Sequence, residues 1–129
     1  MQMTGSRELR IFLLEPNRLW REGLSRVLED TGYSVVGAAG SLTEGLAEMV
    51  RDADAPDIVV LDASAIVNDP VGEFDAARAR FPEIRIVVFT DPDAPGDALS
   101  CFRAGADGCL MKNISSKAMA GCLDLVALG

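Results

Sequence analysis

Short apolar runs that stop abruptly at a polar residue recur along this chain, each separated from the next by a stretch of helical spacing. Leu9 to Leu14 stops at Glu15, Ile58 to Leu61 at Asp62, Ile84 to Phe89 at Thr90, and Cys109 to Met111 at Lys112. A fifth run, Ser34 to Ala38, is rich in valine. The runs have the length of strands, and several are apolar without alternation, as expected of strands buried on both faces. Strands alternating with helices predict an α/β domain with a parallel sheet covered on both sides. Right-handed crossovers make this a doubly wound layer.

The intervening stretches carry helix signals. Asn17 can cap a helix in which Leu19, Trp20, Gly23, Leu24, Val27 and Leu28 repeat at helical spacing, and Gly32 closes it. Ser41 or Thr43 caps the next, running to Val50 with Glu44 near its first turn. Asn68-Asp69-Pro70 starts a third helix that reaches about Arg80, where Phe81-Pro82 stops it. A short fourth helix follows the loop Asp91 to Gly96, passes through Arg103 and ends at Gly105. Ser115 or Ser116 caps the last, with Met119, Cys122, Leu123 and Val126 on one face. Trp20 and Phe102 read as packing residues, and Asp57 as a turn residue. Residues 9–129 form one domain and residues 1–8 an N-terminal extension.

Composition narrows the function. A net charge of −8 with scattered basic residues argues against nucleic-acid binding by this domain itself. No apolar run approaches the roughly 20 residues that span a bilayer, and the start lacks the apolar core of a secretory signal. The expected partners exclude membrane, and the expected location is the cytoplasm. The three cysteines lack zinc-site spacing and read as small apolar filler. The absence of histidine excludes imidazole metal sites, His-based triads and a phosphohistidine on this chain.

Ligands of such sheets sit beyond the carboxyl ends of the strands. The four polar stops deliver Glu15, Asp62, Thr90 and Lys112 to that one edge, a set suited to a phosphoryl group and a metal ion. Each residue also has a plainer reading. Asp62 could cap the following turn, Glu15 could answer a helix dipole, Thr90 could be a strand residue and Lys112 a solvated lysine.

Three segments carry a family resemblance: Pro56 to Asp62, Ile86 to Thr90, and Ala104 to Lys112. With the alternation, they make the chain similar to a receiver domain of a two-component response regulator over about residues 9 to 128. Arg21-Glu22-Gly23-Leu24 and the Gly-Ala-Asp-Gly run resemble the NarL/LuxR-type branch, whose members usually carry a DNA-binding output domain that this chain does not contain. The resemblance implies a flavodoxin-like (βα)5 sheet of strand order 2-1-3-4-5. It implies a phosphoryl group accepted at Asp62 from a sensor histidine kinase, with Lys112 and Thr90 contacting the phosphoryl oxygens. It also implies Mg2+ held by Glu15, Asp62 and the backbone carbonyl of Ser64, and a homodimer or output surface switched by the modification.

The chain departs from the family at Pro16, where a second acid usually stands, so Mg2+ binding is expected to be weak or absent. Cys109 replaces an aromatic residue, Ile66 a proline, and Asp91 a small residue. An alternative is a phosphorylation-independent pseudo-receiver serving as an interaction or dimerisation module. An enzyme or flavin binder ranks last, because Glu15-Pro16-Asn17-Arg18 offers no phosphate-cradling loop. The chain is therefore read as a signalling module and not as an enzyme.

Overall fold

The computed structural model describes residues 9–51 and 55–129; the expected extension, residues 1–8, lies outside them. The elements run β1 (Arg10–Leu14), α1 (Arg18–Asp30), β2 (Ser34–Ala39), α2 (Leu42–Arg51) and β3 (Ile58–Asp62). After a single 3₁₀ turn, Ala63–Ala65, come α3 (Pro70–Arg80), β4 (Arg85–Thr90), α4 (Pro95–Arg103), β5 (Gly108–Met111) and α5 (Ser116–Leu128). The five strands pair in parallel in the order β2-β1-β3-β4-β5, which is the doubly wound arrangement expected.

Strand periodicity sorts the core into two layers. Ile11, Leu13, Ile58, Val60, Val87 and Phe89 face α1 and α5, where Leu24, Leu28, Met119 and Leu123 meet them. Phe12, Leu14, Val59, Leu61, Ile86 and Val88 face the other way, against Leu42, Met49, Phe74 and Cys101 of α2, α3 and α4. Because both faces are covered, the central strand β3 is buried along its whole length. The register between β1 and β2 skips Val36, bringing Gly37 opposite Phe12. A Cβ on Gly37 would meet the Phe12 ring at 2.5 Å, so glycine lets the ring lie against β2.

Side chains settle the open cap assignments. Asn17 Oδ1 accepts from the Trp20 amide at 3.0 Å, Ser41 Oγ from Glu44 at 3.2 Å, and Ser115 Oγ from Ala118 at 3.1 Å. Ser41 and Ser115, not Thr43 and Ser116, therefore satisfy the free amides of the first turns. Gly32 and Gly105 both adopt positive φ, at 100° and 102°, just past the ends of α1 and α4.

Three packing expectations fail. Leu19 is 81% exposed and Phe102 is 64% exposed. Leu19 stands five residues before the buried Leu24, which places it on the opposite face of α1. Phe102 follows Cys101, the residue that α4 turns inward, and so points away from the sheet. Trp20 shares the Leu24 stripe but sits in the first turn, beyond the sheet, and is 39% exposed at the strand ends instead of packed in the core.

Candidate functional site

Asp62 is the last residue of β3, and its carboxylate caps the 3₁₀ turn that follows. Oδ1 accepts both the Ser64 amide and the Ser64 hydroxyl, each at 2.9 Å. Its other oxygen meets the Lys112 ammonium at 2.5 Å across the β4–β5 edge. Lys112 is brought there by β5, and its own amide bonds the Thr90 carbonyl at 3.0 Å. The contact pairs opposite charges without aligned hydrogen-bond geometry, so Oδ2 remains a buried oxygen with no aligned donor. Capping and ion pairing thus coexist in Asp62, and the plain reading of Lys112 as a solvated lysine fails.

Glu15 follows β1 and is only 3% exposed. Its backbone amide bonds the Ala39 carbonyl at 2.9 Å, and its Oε2 accepts the Asn17 amide at 2.9 Å. Its carboxyl lines the same cavity as Asp62. Burial, together with the neighbouring Asp62 carboxylate, pushes Glu15 up to about 7. Burial acts upward on Asp62 too, but the neighbouring Glu15 carboxyl, the Lys112 ammonium and the two Ser64 donors outweigh it and hold Asp62 below the ordinary carboxylate value. Burial would lower the Lys112 ammonium, yet the adjacent Asp62 carboxylate, then the charges of Asp91 and Glu15, keep it raised. At neutral pH the pocket therefore holds an ionised Asp62, a charged lysine and a Glu15 that readily loses its proton.

Two openings reach this carboxylate. On the α1 side, Glu15, Pro16, Asn17 and Trp20 line a cavity of about 470 Å³ that also exposes Asp62, Ser64 and Lys112. On the α4 side, Asn68, Asp91, Asp97 and Ser100 line another of about 380 Å³ against the same ion pair. Asp91 stands 3.7 Å from the Lys112 ammonium as a second counter-ion. A cavity at the amino ends of the strands, between Pro56 and Arg85, lies on the opposite edge and holds none of these residues.

Thr90 ends β4 on the same edge and is buried, but its hydroxyl donates to Met111 Sδ at 3.7 Å and not toward Asp62. Of the four strand-end residues, Glu15, Asp62 and Lys112 come together directly, while Thr90 is a neighbour turned aside. Sequence reasoning missed the Ser64 hydroxyl and the place of Trp20 at the mouth. Both had a signal: a serine two residues after a strand-end aspartate favours an Asx-type turn, and Trp20 lies within one turn of the polar edge. It also missed the guanidinium of Arg21, which donates to the Glu15 carbonyl at 2.8 Å.

A divalent ion placed here would have the Glu15 and Asp62 carboxylates within the same cavity as donors, with backbone oxygen and water left to complete its shell. No group of three or more acidic, thiol or imidazole side chains is assembled as a metal site among the described residues. Magnesium commonly takes one or two carboxylates and keeps several waters. The unaligned Asp62 oxygen and the readily deprotonated Glu15 suit such an ion, while Pro16 adds no oxygen from its side chain.

The response regulator receiver domain family profile matches residues 11–124. The chain is 28% identical over 123 residues to a nitrate/nitrite response regulator protein homolog of Haemophilus influenzae, covering 95% of this chain and 58% of that protein. It is 29% identical over 122 residues to the DNA-binding transcriptional activator DevR/DosR of Mycobacterium tuberculosis, covering 94% and 55%. A crystal structure of a LuxR-family two-component response regulator from an Aurantimonas species superposes with a TM-score of 0.81. That pair is 27% identical over 95% of this chain and 87% of the other. The chain spans somewhat more than half the length of these curated relatives.

Proposed function

The chain belongs to the response regulator receiver domain family, and from that premise we propose that Asp62 accepts a phosphoryl group from the phosphohistidine of a sensor histidine kinase. The observation that carries this reading is the Asp62–Lys112 contact of 2.5 Å at the carboxyl edge of the sheet. An Asp62 oxygen forms the new bond to phosphorus as the phosphorus–nitrogen bond breaks, and that electron pair remains on the donor imidazole. Lys112 moves its charge from the carboxylate to the phosphoryl oxygens, acting as a compact point charge. Ser64 steadies Oδ1 through its two donors. Thr90 can serve the phosphoryl group only after its hydroxyl leaves Met111, a rotation that would couple modification to the α4–β5 surface.

Mg2+ bound by Glu15, Asp62 and the Ser64 carbonyl would neutralise phosphoryl charge during transfer. With Pro16 in place of an acid, its binding is weak in this reading. Leu99, Phe102 and Met111 leave apolar surface exposed on α4 and β5 beside the Thr90 switch, and a homodimer formed there would be the output. The name of the Mycobacterium tuberculosis relative, a DNA-binding transcriptional activator, ascribes transcription regulation to a protein of which this chain matches about half. We therefore read it as the receiving half of a cytoplasmic transcriptional regulator whose DNA contacts lie in another domain. No described helix is long and apolar enough to cross a membrane.

Incubation with acetyl phosphate and Mg2+, followed by intact-mass measurement, tests the proposal. Wild type should gain the mass of one phosphoryl group and Asp62→Asn should gain none. Absence of the gain in wild type favours the phosphorylation-independent module.

A further inference from the structure

Arg21 opens the segment Arg21-Glu22-Gly23-Leu24, which no step proposed above uses. Its guanidinium reaches back six residues from α1 to donate to the Glu15 carbonyl at 2.8 Å. That carbonyl precedes Pro16, whose ring lacks an N–H, so the backbone at this turn has fewer donors with which to hold itself. The remaining restraints on Glu15 are its amide on Ala39 and its Oε2 on the Asn17 amide. Asn17 already caps α1 through the Trp20 amide. The position of the buried carboxylate therefore depends on how α1 is fastened to the end of β1.

We propose that Arg21 is a positioning residue for Glu15, pinning the Glu15–Pro16 peptide so that the Glu15 carboxyl faces Asp62. The inference rests on the reading of Glu15 and Asp62 as the ion-binding pair. It extends that reading by assigning the arginine a role in the site through the backbone carbonyl and not through charge on the ligand. Residues that orient a ligating side chain typically change metal affinity by about 10–100-fold when removed. Lysine should substitute poorly, because the guanidinium fork presents a fixed donor direction and the ammonium does not.

The test is an Mg2+ titration of the whole chain, followed by the fluorescence of Trp20, the single tryptophan, at the mouth of the pocket. Wild type, Arg21→Ala, Arg21→Lys, Glu15→Gln and the Arg21→Ala/Glu15→Gln double variant are compared, with urea melts to verify folding. Arg21→Ala should weaken binding about tenfold, Arg21→Lys by nearly as much, and the double variant should bind no more weakly than Glu15→Gln alone. Wild-type affinity in Arg21→Ala, or an equal loss on top of Glu15→Gln, overturns the proposal. Amide hydrogen exchange at Asn17 decides it independently of the metal. Faster exchange at Asn17 in Arg21→Ala, with core amides unchanged, supports the pinning role even if no variant binds Mg2+, in which case only the metal reading fails. Unchanged Asn17 exchange overturns it.

Discussion

Two carboxyl groups in one pocket resist ionising together, and Glu15 and Asp62 resolve the conflict unequally. Asp62 keeps its charge because Lys112 and Ser64 favour the anion, and Glu15 retains a proton up to about 7. A cation entering the pocket must displace that proton. Mg2+ affinity should therefore rise with pH through about 7 in wild type and show a flatter dependence in Glu15→Gln, as measured by Trp20 fluorescence. Stability without metal follows the same pair. Glu15 binds its proton more tightly folded than unfolded, so its contribution is full below the ordinary value of 4.5 and is lost as pH rises toward 7. Asp62 has the opposite sign: its contribution is present above 3.8 and is lost as pH falls through its lowered value. Glu15→Gln should consequently gain stability relative to wild type between about pH 5 and about pH 8 in urea unfolding. Asp62 and Lys112 were legible as a pair because each terminates an apolar run on one sheet edge. The direction of the Thr90 hydroxyl was not, since its partner Met111 lies on the adjacent strand β5 and a sulfur acceptor leaves no sequence signal.

Two elements are fastened by single residues. Asp107, just before β5, makes a reciprocal pair with Ile86 of β4: its amide donates to the Ile86 carbonyl and its Oδ2 accepts the Ile86 amide, both at 2.7 Å. The same oxygen takes Arg78 of α3 at 2.9 Å. Asp107→Ala strands a part-buried amide at the start of β4 and should cost about 1–3 kcal/mol in chemical denaturation. Gly45 lets α2 lie close to β1, because a Cβ there would meet Leu14 Cδ2 at 2.5 Å. Gly45→Ala should destabilise by about 1–3 kcal/mol through overpacking, although alanine is the better helix former. The helices were readable from caps and spacing to within a residue or two at most ends. The Ala63–Ala65 turn was not, because three residues carry no period, and the facing of Leu19 and Phe102 was misjudged because apolar residues occur on both sides of short helices.

At the scale of the molecule, alternation alone implied a parallel sheet between two helical layers, and the sheet has that form. The order β2-β1-β3-β4-β5 came from family likeness, since alternation leaves the sequence of crossovers open. The charge of −8 is spread over a domain without a basic cluster. The isolated chain should show no electrophoretic shift of duplex DNA at about 0.15 M salt, because phosphate neutralisation supplies most non-specific affinity. Its function would then rest on one carboxylate and on what that group does to the surface around β5. Borohydride trapping after treatment with acetyl phosphate and Mg2+ converts an aspartyl phosphate to homoserine, and peptide sequencing locates it. Homoserine at position 62, lost in Lys112→Ala, is the predicted result; a label at any other carboxylate, or none at 62 in the folded wild type, would contradict it.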